Sequence, residues 1–466
     1  MAKITLYFSQ TMAKITLCLY HEGKVMQREI EQDLLKWKDQ KDRLPLLLRG
    51  ARQVGKSYVV EKFGHEHFDQ IVTINFELQP EFIRCFETLE PLEILNKLIP
   101  LTRQKITIGE SLLFFDEIQD CPNAIRSLRY FKEKLPELHI IGAGSLLEFT
   151  LNDASFRMPV GRVQSLYLKP LSFKEYLLAA GYADLYKMLG QATLKTPMAE
   201  PLHQRLLKLM REYMSLGGMP AVLQSFLAQR DYGQCMNIQT GLLNTYRQDF
   251  GKYAHQTDCK YLQRLFDKAP GLIAENFKYS KVDPDMRSRD IKRALDMLYN
   301  AGLIYPIYAT AGSGIPLISL VNDKKFKILF LDLGLVVRAS KLEAELLLSD
   351  DILLVNRGAM AEQLVGQELL AYSSHFDEAK LYFWSRDKKS SMAEVDFVVA
   401  LGSQIIPIEV KAGKTGRLKS LQIFMDEKKS TLGIRISQSP LSLDGKVLSL
   451  PIYMVGEIER LLKDIH

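Results

Sequence analysis

One stretch constrains this chain more than any other: Gly50–Ser57, reading GARQVGKS. It fits G-x-x-x-x-G-K-[ST], and its flanks supply the context that this loop needs. Before it, Leu44-Pro45-Leu46-Leu47-Leu48 reads as a short buried parallel strand. After it, Val59, Val60 and Phe63 share one helical face, and Gly64 is placed to end that helix. The glycines let the backbone curl until successive N–H groups point inward, and with the helix N-terminus they form an anion cradle. Lys56 then reaches the β- and γ-phosphates, while Ser57 offers its hydroxyl to Mg²⁺. Gly50, Ala51, Arg52, Gln53, Val54, Gly55 and Tyr58 complete the segment expected to line the phosphates. A nucleoside triphosphate is the expected ligand.

Two acids turn binding into expected hydrolysis. Ile71–Phe76 reads as a second strand and Glu81–Leu98 as a helical region. Then comes Ser111-Leu112-Leu113-Phe114-Phe115-Asp116-Glu117, a continuously apolar run closed by two carboxylates. A central parallel strand is buried on both faces, and its carboxyl end opens at the phosphate site. Asp116 is thereby placed to hold Mg²⁺ through its water shell, and Glu117 to polarise the attacking water. The next strand, His139–Gly144, ends at Ser145, a polar group positioned for the γ-phosphate or the lytic water. Arg157 and Arg162 follow. An arginine here serves either as a finger on a neighbouring copy's γ-phosphate or as a surface ion pair. Arg162, in the PVGR turn, is the preferred finger, and acting in trans it would require a homo-oligomer.

The 466 residues are too many for one core, so two to four domains are expected. Hydrophobic content of 47% and charged content of 25% are those of an ordinary globular protein. A net charge of +6 permits contact with DNA without demanding it. Five scattered cysteines, without C-x-x-C or a histidine at ligand spacing, argue against zinc and disulfides, and for a reducing cytoplasm. No apolar run reaches the length of a membrane span, so no membrane partner is expected. MAKITL occurs at Met1–Leu6 and again at Met12–Leu17, and residues 1–11 are set aside as a local duplication or an upstream start.

GARQVGKS, FFDEIQDCP, IGAGSLLEF, PVGR with LKPLSFKEYL, and GGMPAVL at Gly217–Leu223 follow one another in order. In this the chain resembles the prokaryotic AAA-superfamily ATPases that carry a C-terminal domain of unknown function, from about Leu34 to about Lys419. The resemblance implies ATP rather than GTP, an α/β P-loop ATPase core with a parallel sheet, a winged-helix-like middle and a small restriction-endonuclease-like α/β domain. The corresponding divisions are an N-terminal segment to 28, the core over 29–178, a helical segment over 179–275, a winged-helix-like unit over 276–345 and the nuclease-like domain over 346–466. In the middle, Gly241–Ala254 reads as a packing helix. Arg287–Ala309 places Ile291, Leu295 and Leu298 on one face, with Ser288 as N-cap and Leu303–Ala309 as a following strand. Helix then hairpin is the winged-helix order, with Lys327–Gly334 as a further strand. Arg287, Arg289, Lys292 and Arg293 form a basic face suited to DNA, or simply a solvated one.

Three strands are expected near the C-terminus, at Leu381–Ser385, Glu394–Val399 and Ile405–Lys411. An acid early on one strand and E-V-K at the end of the next resembles the PD-(D/E)xK nuclease core. Alternate strand residues share a face, so Glu409 and Lys411 point the same way. The resemblance implies that Asp396 and Glu409 bind Mg²⁺ while Lys411 activates the nucleophile. Glu362, preferred to Glu368, would complete the set from the preceding helix, and Lys414, Arg417 and Lys419 would touch the phosphate backbone. One departure is that Glu394-Val395, without a proline, precedes Asp396. Two functions follow: an ATPase acting on nucleic acid through a Mg²⁺-dependent nuclease domain, or a nucleotide-controlled switch that only binds DNA or a protein.

Overall fold

The computed structural model describes residues 26–152, 156–159, 161–349, 355–356, 358–386, 393–411 and 418–465. The MAKITL repeats, Cys18, Lys414 and Arg417 lie outside them. The chain folds as α/β, with a parallel sheet, then a helical segment, then a mixed sheet with its own helices.

The first sheet holds β1 (Leu46–Arg49), β2 (Gln70–Asn75), β3 (Ser111–Asp116), β4 (His139–Ala143) and β5 (Gln164–Tyr167) in the order β2-β3-β4-β1-β5. Every pairing is parallel. All six residues of β3 are buried, which is why that strand is apolar without alternation. Helices α1 (Ile30–Asp39), α2 (Lys56–His67), α3 (Pro91–Thr102), α4 (Pro122–Lys134) and α5 (Leu147–Leu151) accompany it. The helical region expected over 81–98 divides into a 3-10 stretch, Pro80–Phe86, and α3, which begins at Pro91. Gly64 does not end α2, which runs on to His67. A Cβ at Gly64 would lie 2.4 Å from Ile71, so the glycine serves close packing of helix on strand.

Eight further helices follow: α6 (Phe173–Ala179), α7 (Ala183–Gln191), α8 (Glu200–Leu216), α9 (Pro220–Gln229), α10 (Tyr232–Tyr253), α11 (Gln256–Lys268), α12 (Tyr279–Val282) and α13 (Ser288–Asn300). The strings PLSF and GGMP prove to be packing devices. Ser172 and Glu175 form a reciprocal capping box on α6. Gly218 approaches Leu171 so closely that a Cβ would sit 2.2 Å from its carbonyl oxygen. Ser288 is the first residue of α13 rather than its cap, since Arg287 holds the cap position without a side-chain bond.

The second sheet contains β6 (Ile304–Thr310), β7 (Val321–Phe330), β8 (Leu381–Ser385), β9 (Glu394–Leu401), β10 (Gln404–Val410), β11 (Gly433–Ser437), β12 (Ser442–Asp444) and β13 (Val447–Pro451). Its order is β12-β13-β11-β10-β9-β8-β6-β7. The hairpin β6–β7 expected as a wing is therefore one edge of the sheet that carries the C-terminal strands, with β6 parallel to β8. The helices of this part are α14 (Leu333–Ser340), α15 (Glu343–Leu348), α16 (Ala359–Ala371), α17 (Lys419–Lys428) and α18 (Ile458–Ile465). The strand expected over Lys327–Gly334 stops at Phe330, because Asp332 caps α14 by accepting from Leu335 N at 3.1 Å. One apolar core runs from Ile30 and Trp37 on α1, through Tyr213 and Tyr246, to Ile408 and Ile434 in the second sheet.

Candidate functional site

The loop between β1 and α2 has the backbone that its glycines allow. Gly50 has φ 145° and Gly55 φ 95°, and Gln53 also enters the left-handed region at φ 68°. A Cβ at Gly50 would lie 2.3 Å from the Leu168 carbonyl oxygen, so nothing but glycine fits. Lys56 Nζ folds back onto the loop, donating to Gly50 O at 2.9 Å and Ala51 O at 2.8 Å. Burial pushes its ammonium down to about 8, against the pull of Glu117 and Asp116. Tyr58 turns away from the loop, its hydroxyl accepting from Met26 N at 3.3 Å.

The two residues expected to hold Mg²⁺, Ser57 and Asp116, are in contact. Ser57 Oγ donates to Asp116 at 3.0 Å. Asn75, level with Asp116 across β2 and β3, donates to the same carboxylate at 2.9 Å. Burial, with Glu117 beside it, raises the Asp116 carboxyl above its usual range. A hydroxyl and a carboxylate converging at the mouth of a phosphate loop are the donor set that Mg²⁺ takes in a nucleotide site. Glu117 occupies the left-handed region at φ 47°, a costly conformation for a glutamate and one typical of functional turns. Ser145 holds it there, donating from N and Oγ to Glu117 Oε2 at 3.3 and 3.2 Å. Ser145 thus orients the acid. Glu61, one helical turn beyond Ser57, is lifted to about 6 by burial and Asp116.

Arg162 lies outside this constellation, in an ion pair of Nε with Glu133 at 3.1 Å on the surface of α4, its side chain 47% exposed. That is the surface reading of this arginine. Sequence reasoning missed Arg28. It is buried, and its guanidinium bonds Glu175 at 2.9 Å, Val54 O at 3.1 Å and Lys169 O at 2.6 Å. It thereby ties the loop to α6. No local pattern around Arg28 announces this, because its partners lie 26 to 147 residues away. Arg52 pairs with Asp249 of α10 at 2.8 Å, and its carbonyl accepts from Tyr246 Oη at 3.0 Å. Gly302, in the turn after α13, abuts Ala51, and Tyr299 and Tyr305 close over the cleft beside Gly50.

At the C-terminal acids the structure brings Glu362, Asp396 and Glu394 together around a lysine that was read only as part of a strand. Lys327 Nζ on β7, 1% exposed, reaches Glu394 at 2.7 Å, Glu362 at 3.1 Å and Asp396 at 4.0 Å. Burial opposes its charge, but the three carboxylates outweigh it and hold the ammonium above its ordinary range. Asp396 also accepts from Val410 N at 2.7 Å. Glu409 accepts from Leu421 N at 3.1 Å and pairs with Lys411 at 3.1 Å. Among the described residues, no three His, Cys, Asp or Glu are arranged to hold a metal ion. Lys327 Nζ thus lies between Glu362 and Asp396, two of the expected Mg²⁺ ligands, while the third, Glu409, pairs with Lys411. Glu368 faces elsewhere, accepting from Phe173 N at 3.1 Å and Tyr213 Oη at 3.0 Å. On α13, Arg293 is drawn to Asp258 of α11 at 2.6 Å, leaving Arg287, Arg289 and Lys292 on the exposed face.

Residues 42–177 match the family model of an AAA domain. Residues 207–346 and 357–453 match two models described as domains of unknown function, DUF8612 and DUF4143. No curated protein matches the sequence. Among solved structures the chain is similar to a Walker-type ATPase of Pyrococcus abyssi, with 18% identity and TM-score 0.44, over 68% of this chain and 96% of that one. It is similar to the ORC1 protein of Aeropyrum pernix in complex with DNA, with 11% identity and TM-score 0.29, over 68% and 93%. A third is Cdc6p from Pyrobaculum aerophilum, with 12% identity and TM-score 0.25, over 70% and 96%. The first-sheet unit thus carries an AAA domain with a phosphate loop and an acid pair. No helix among the described residues is long and apolar enough to cross a membrane.

Proposed function

We propose that this protein hydrolyses ATP to switch the conformation of its second-sheet unit, through which it holds DNA or a protein partner. Lys56 would leave the Gly50 and Ala51 carbonyls for the β- and γ-phosphates. Ser57 and Asp116 would hold Mg²⁺, which supplies charge neutralisation on the phosphates. Glu117, oriented by Ser145, accepts the proton of the attacking water, a role for which general bases contribute about 10²–10⁴ in rate. The exposed cations Arg287, Arg289 and Lys292 offer α13 as the contact for a phosphate backbone.

The observation that carries the switch reading over the nuclease reading is Lys327. A buried ammonium amid Glu362, Glu394 and Asp396 compensates the acids that a nuclease would give to metal. A nuclease remains the second reading, favoured by Glu409 and Lys411 on one strand face with Asp396 on the neighbouring strand. One preparation decides between them. ATP turnover with and without DNA is measured beside a nicking assay in Mg²⁺ and in Mn²⁺. The switch reading expects turnover that is lost in Glu117→Gln, with no nicking in either metal. Nicking that vanishes in Asp396→Ala would establish the nuclease instead, and turnover untouched by Glu117→Gln would remove the hydrolytic assignment.

A further inference from the structure

The mouth of the phosphate loop carries a closed ring of charges, in which Arg52 of the loop meets three side chains with no role assigned above. Arg52 Nη1 lies 2.8 Å from Asp249 and Nη2 4.0 Å from Glu77. Lys252 Nζ lies 2.9 Å from Glu77 and 3.9 Å from Asp249. Two cations and two carboxylates thus join three elements: the loop, the segment after β2, and α10.

The ring lies on the loop that holds Lys56. The carbonyl of Ala51, the residue before Arg52, holds Lys56 Nζ, the group that reaches the β- and γ-phosphates. Lys56 Nζ is held on the Gly50 and Ala51 carbonyls of the loop, and the Arg52 guanidinium of the same loop is held on Asp249 and Glu77. Arg162, by contrast, is paired on the outer surface of α4.

We propose that Arg52 is a γ-phosphate contact supplied within the same chain, and that Asp249 is the partner it leaves when the third phosphate arrives. This rests on the reading that the loop binds ATP. A guanidinium exchanges one carboxylate for a phosphate with more charge and more acceptor oxygens, a trade that its planar fork makes well. ADP ends short of the exchange and leaves the Arg52–Asp249 pair in place. The pair is one of several ties between α10 and the nucleotide site, beside Lys252 on Glu77. Others are Tyr246 Oη on Arg52 O and the stacking of Tyr253 on Phe149, whose ring centroids lie 4.4 Å apart. ATP therefore removes one tie that ADP retains, and α10 reports which nucleotide is bound.

The test is the ratio of two affinities. Titration calorimetry with Mg²⁺ measures Kd for adenylyl imidodiphosphate and for ADP in the full chain, in Arg52→Gln and in Asp249→Asn. Arg52→Gln should weaken the triphosphate analogue about tenfold, within the range of ordinary coupling between sites, and leave ADP within about twofold. Asp249→Asn, which frees the guanidinium, should tighten the analogue several-fold with ADP again unmoved. Amide exchange in α10 should be faster with the analogue than with ADP in wild type and equal in Arg52→Gln. Equal weakening of both nucleotides by Arg52→Gln, or an unchanged ratio in both variants, would overturn the proposal by reducing Arg52 to a structural brace. If wild type binds neither nucleotide, the underlying ATP reading falls and this one with it.

Discussion

Lys56 makes the nucleotide site sensitive to pH in a direction that can be worked out. In the free protein its ammonium is buried against the Gly50 and Ala51 carbonyls, and burial brings its pKa from 10.5 to about 8. From that value about nine in ten molecules carry the charge at pH 7 and about one in ten at pH 9. Phosphates bind the charged form, so the association constant for ATP should fall about tenfold from pH 7 to pH 9. Binding at pH 8 should take up about half a proton per nucleotide, since about half of the lysines begin neutral. Stability of the free protein runs the other way. The folded pKa lies below the unfolded one, so the unfolded chain binds more protons between about pH 8 and 10.5, and stability rises with pH across that window. The contribution is at most about 3 kcal/mol. Calorimetric titration at pH 7, 8 and 9, in two buffers of different ionisation enthalpy, reads both affinity and proton uptake. An affinity constant to within twofold, with no proton uptake at pH 8, would refute the reasoning.

Three further perturbations have definite outcomes. Glu175→Ala leaves the Arg28 guanidinium, 4% exposed, without its carboxylate, and should cost about 3–5 kcal/mol in denaturant unfolding; a loss below 1 kcal/mol would show that Arg28 finds another partner. Lys327→Met leaves three carboxylates together, which then hold protons in the folded state; its destabilisation relative to wild type should be greater at pH 8 than at pH 6, and equal losses in urea at both would contradict the arrangement. Gly302→Val forces a branched side chain into φ 70° with Cβ 3.3 Å from Ala51, a strain of roughly 1–2 kcal/mol beside the loop. It should weaken ATP binding with the far-ultraviolet circular dichroism unchanged, and intact affinity would show that the loop yields.

The first sheet was legible because its signals are local. GARQVGKS carries its own backbone requirements, and the all-buried β3 with its two terminal acids is visible in Leu112–Glu117 alone. Asn75 was within reach too, as the polar end of a strand parallel to β3, level with Asp116. Arg28 and Lys327 were not, for a physical reason. A buried cation is tolerated only through partners that the fold assembles, and the chain between them encodes nothing about the meeting. Lys327 sits in KKFKILF, where it reads as one more strand residue, yet it is buried while Lys324 is exposed. The acid pattern Asp396, Glu409 and Lys411 was correctly placed on neighbouring strands. What the pattern omitted was the counter-charge that arrives from a hairpin some 70 residues earlier.

That hairpin also decides how the two halves of the molecule must be thought of together. A unit beginning at residue 346 would lack β6 and β7, leaving one edge of β8 unpaired and the acids without Lys327. Exposed edges and uncompensated buried carboxylates are both costly, so the second sheet is complete only when the winged-helix-like segment is counted within it. The sheet is in turn fastened to the ATPase module. His375, shortly before β8, bonds Asp33 on α1 at 2.8 Å, and its carbonyl accepts from Tyr167 N on β5 at 2.8 Å. Glu368 on α16 caps the start of α6, and Arg338 on α14 reaches Thr240 on α10 at 2.9 Å. Of these ties, the last involves the helix that also holds Arg52. A change at the phosphate loop therefore has a packed route into the second sheet through α10 and α14, while the attachments at His375 and Glu368 keep the rest of the sheet in place. Under the proposed switch, hinging at one side and pulling at the other would convert the nucleotide state into a displacement within one chain.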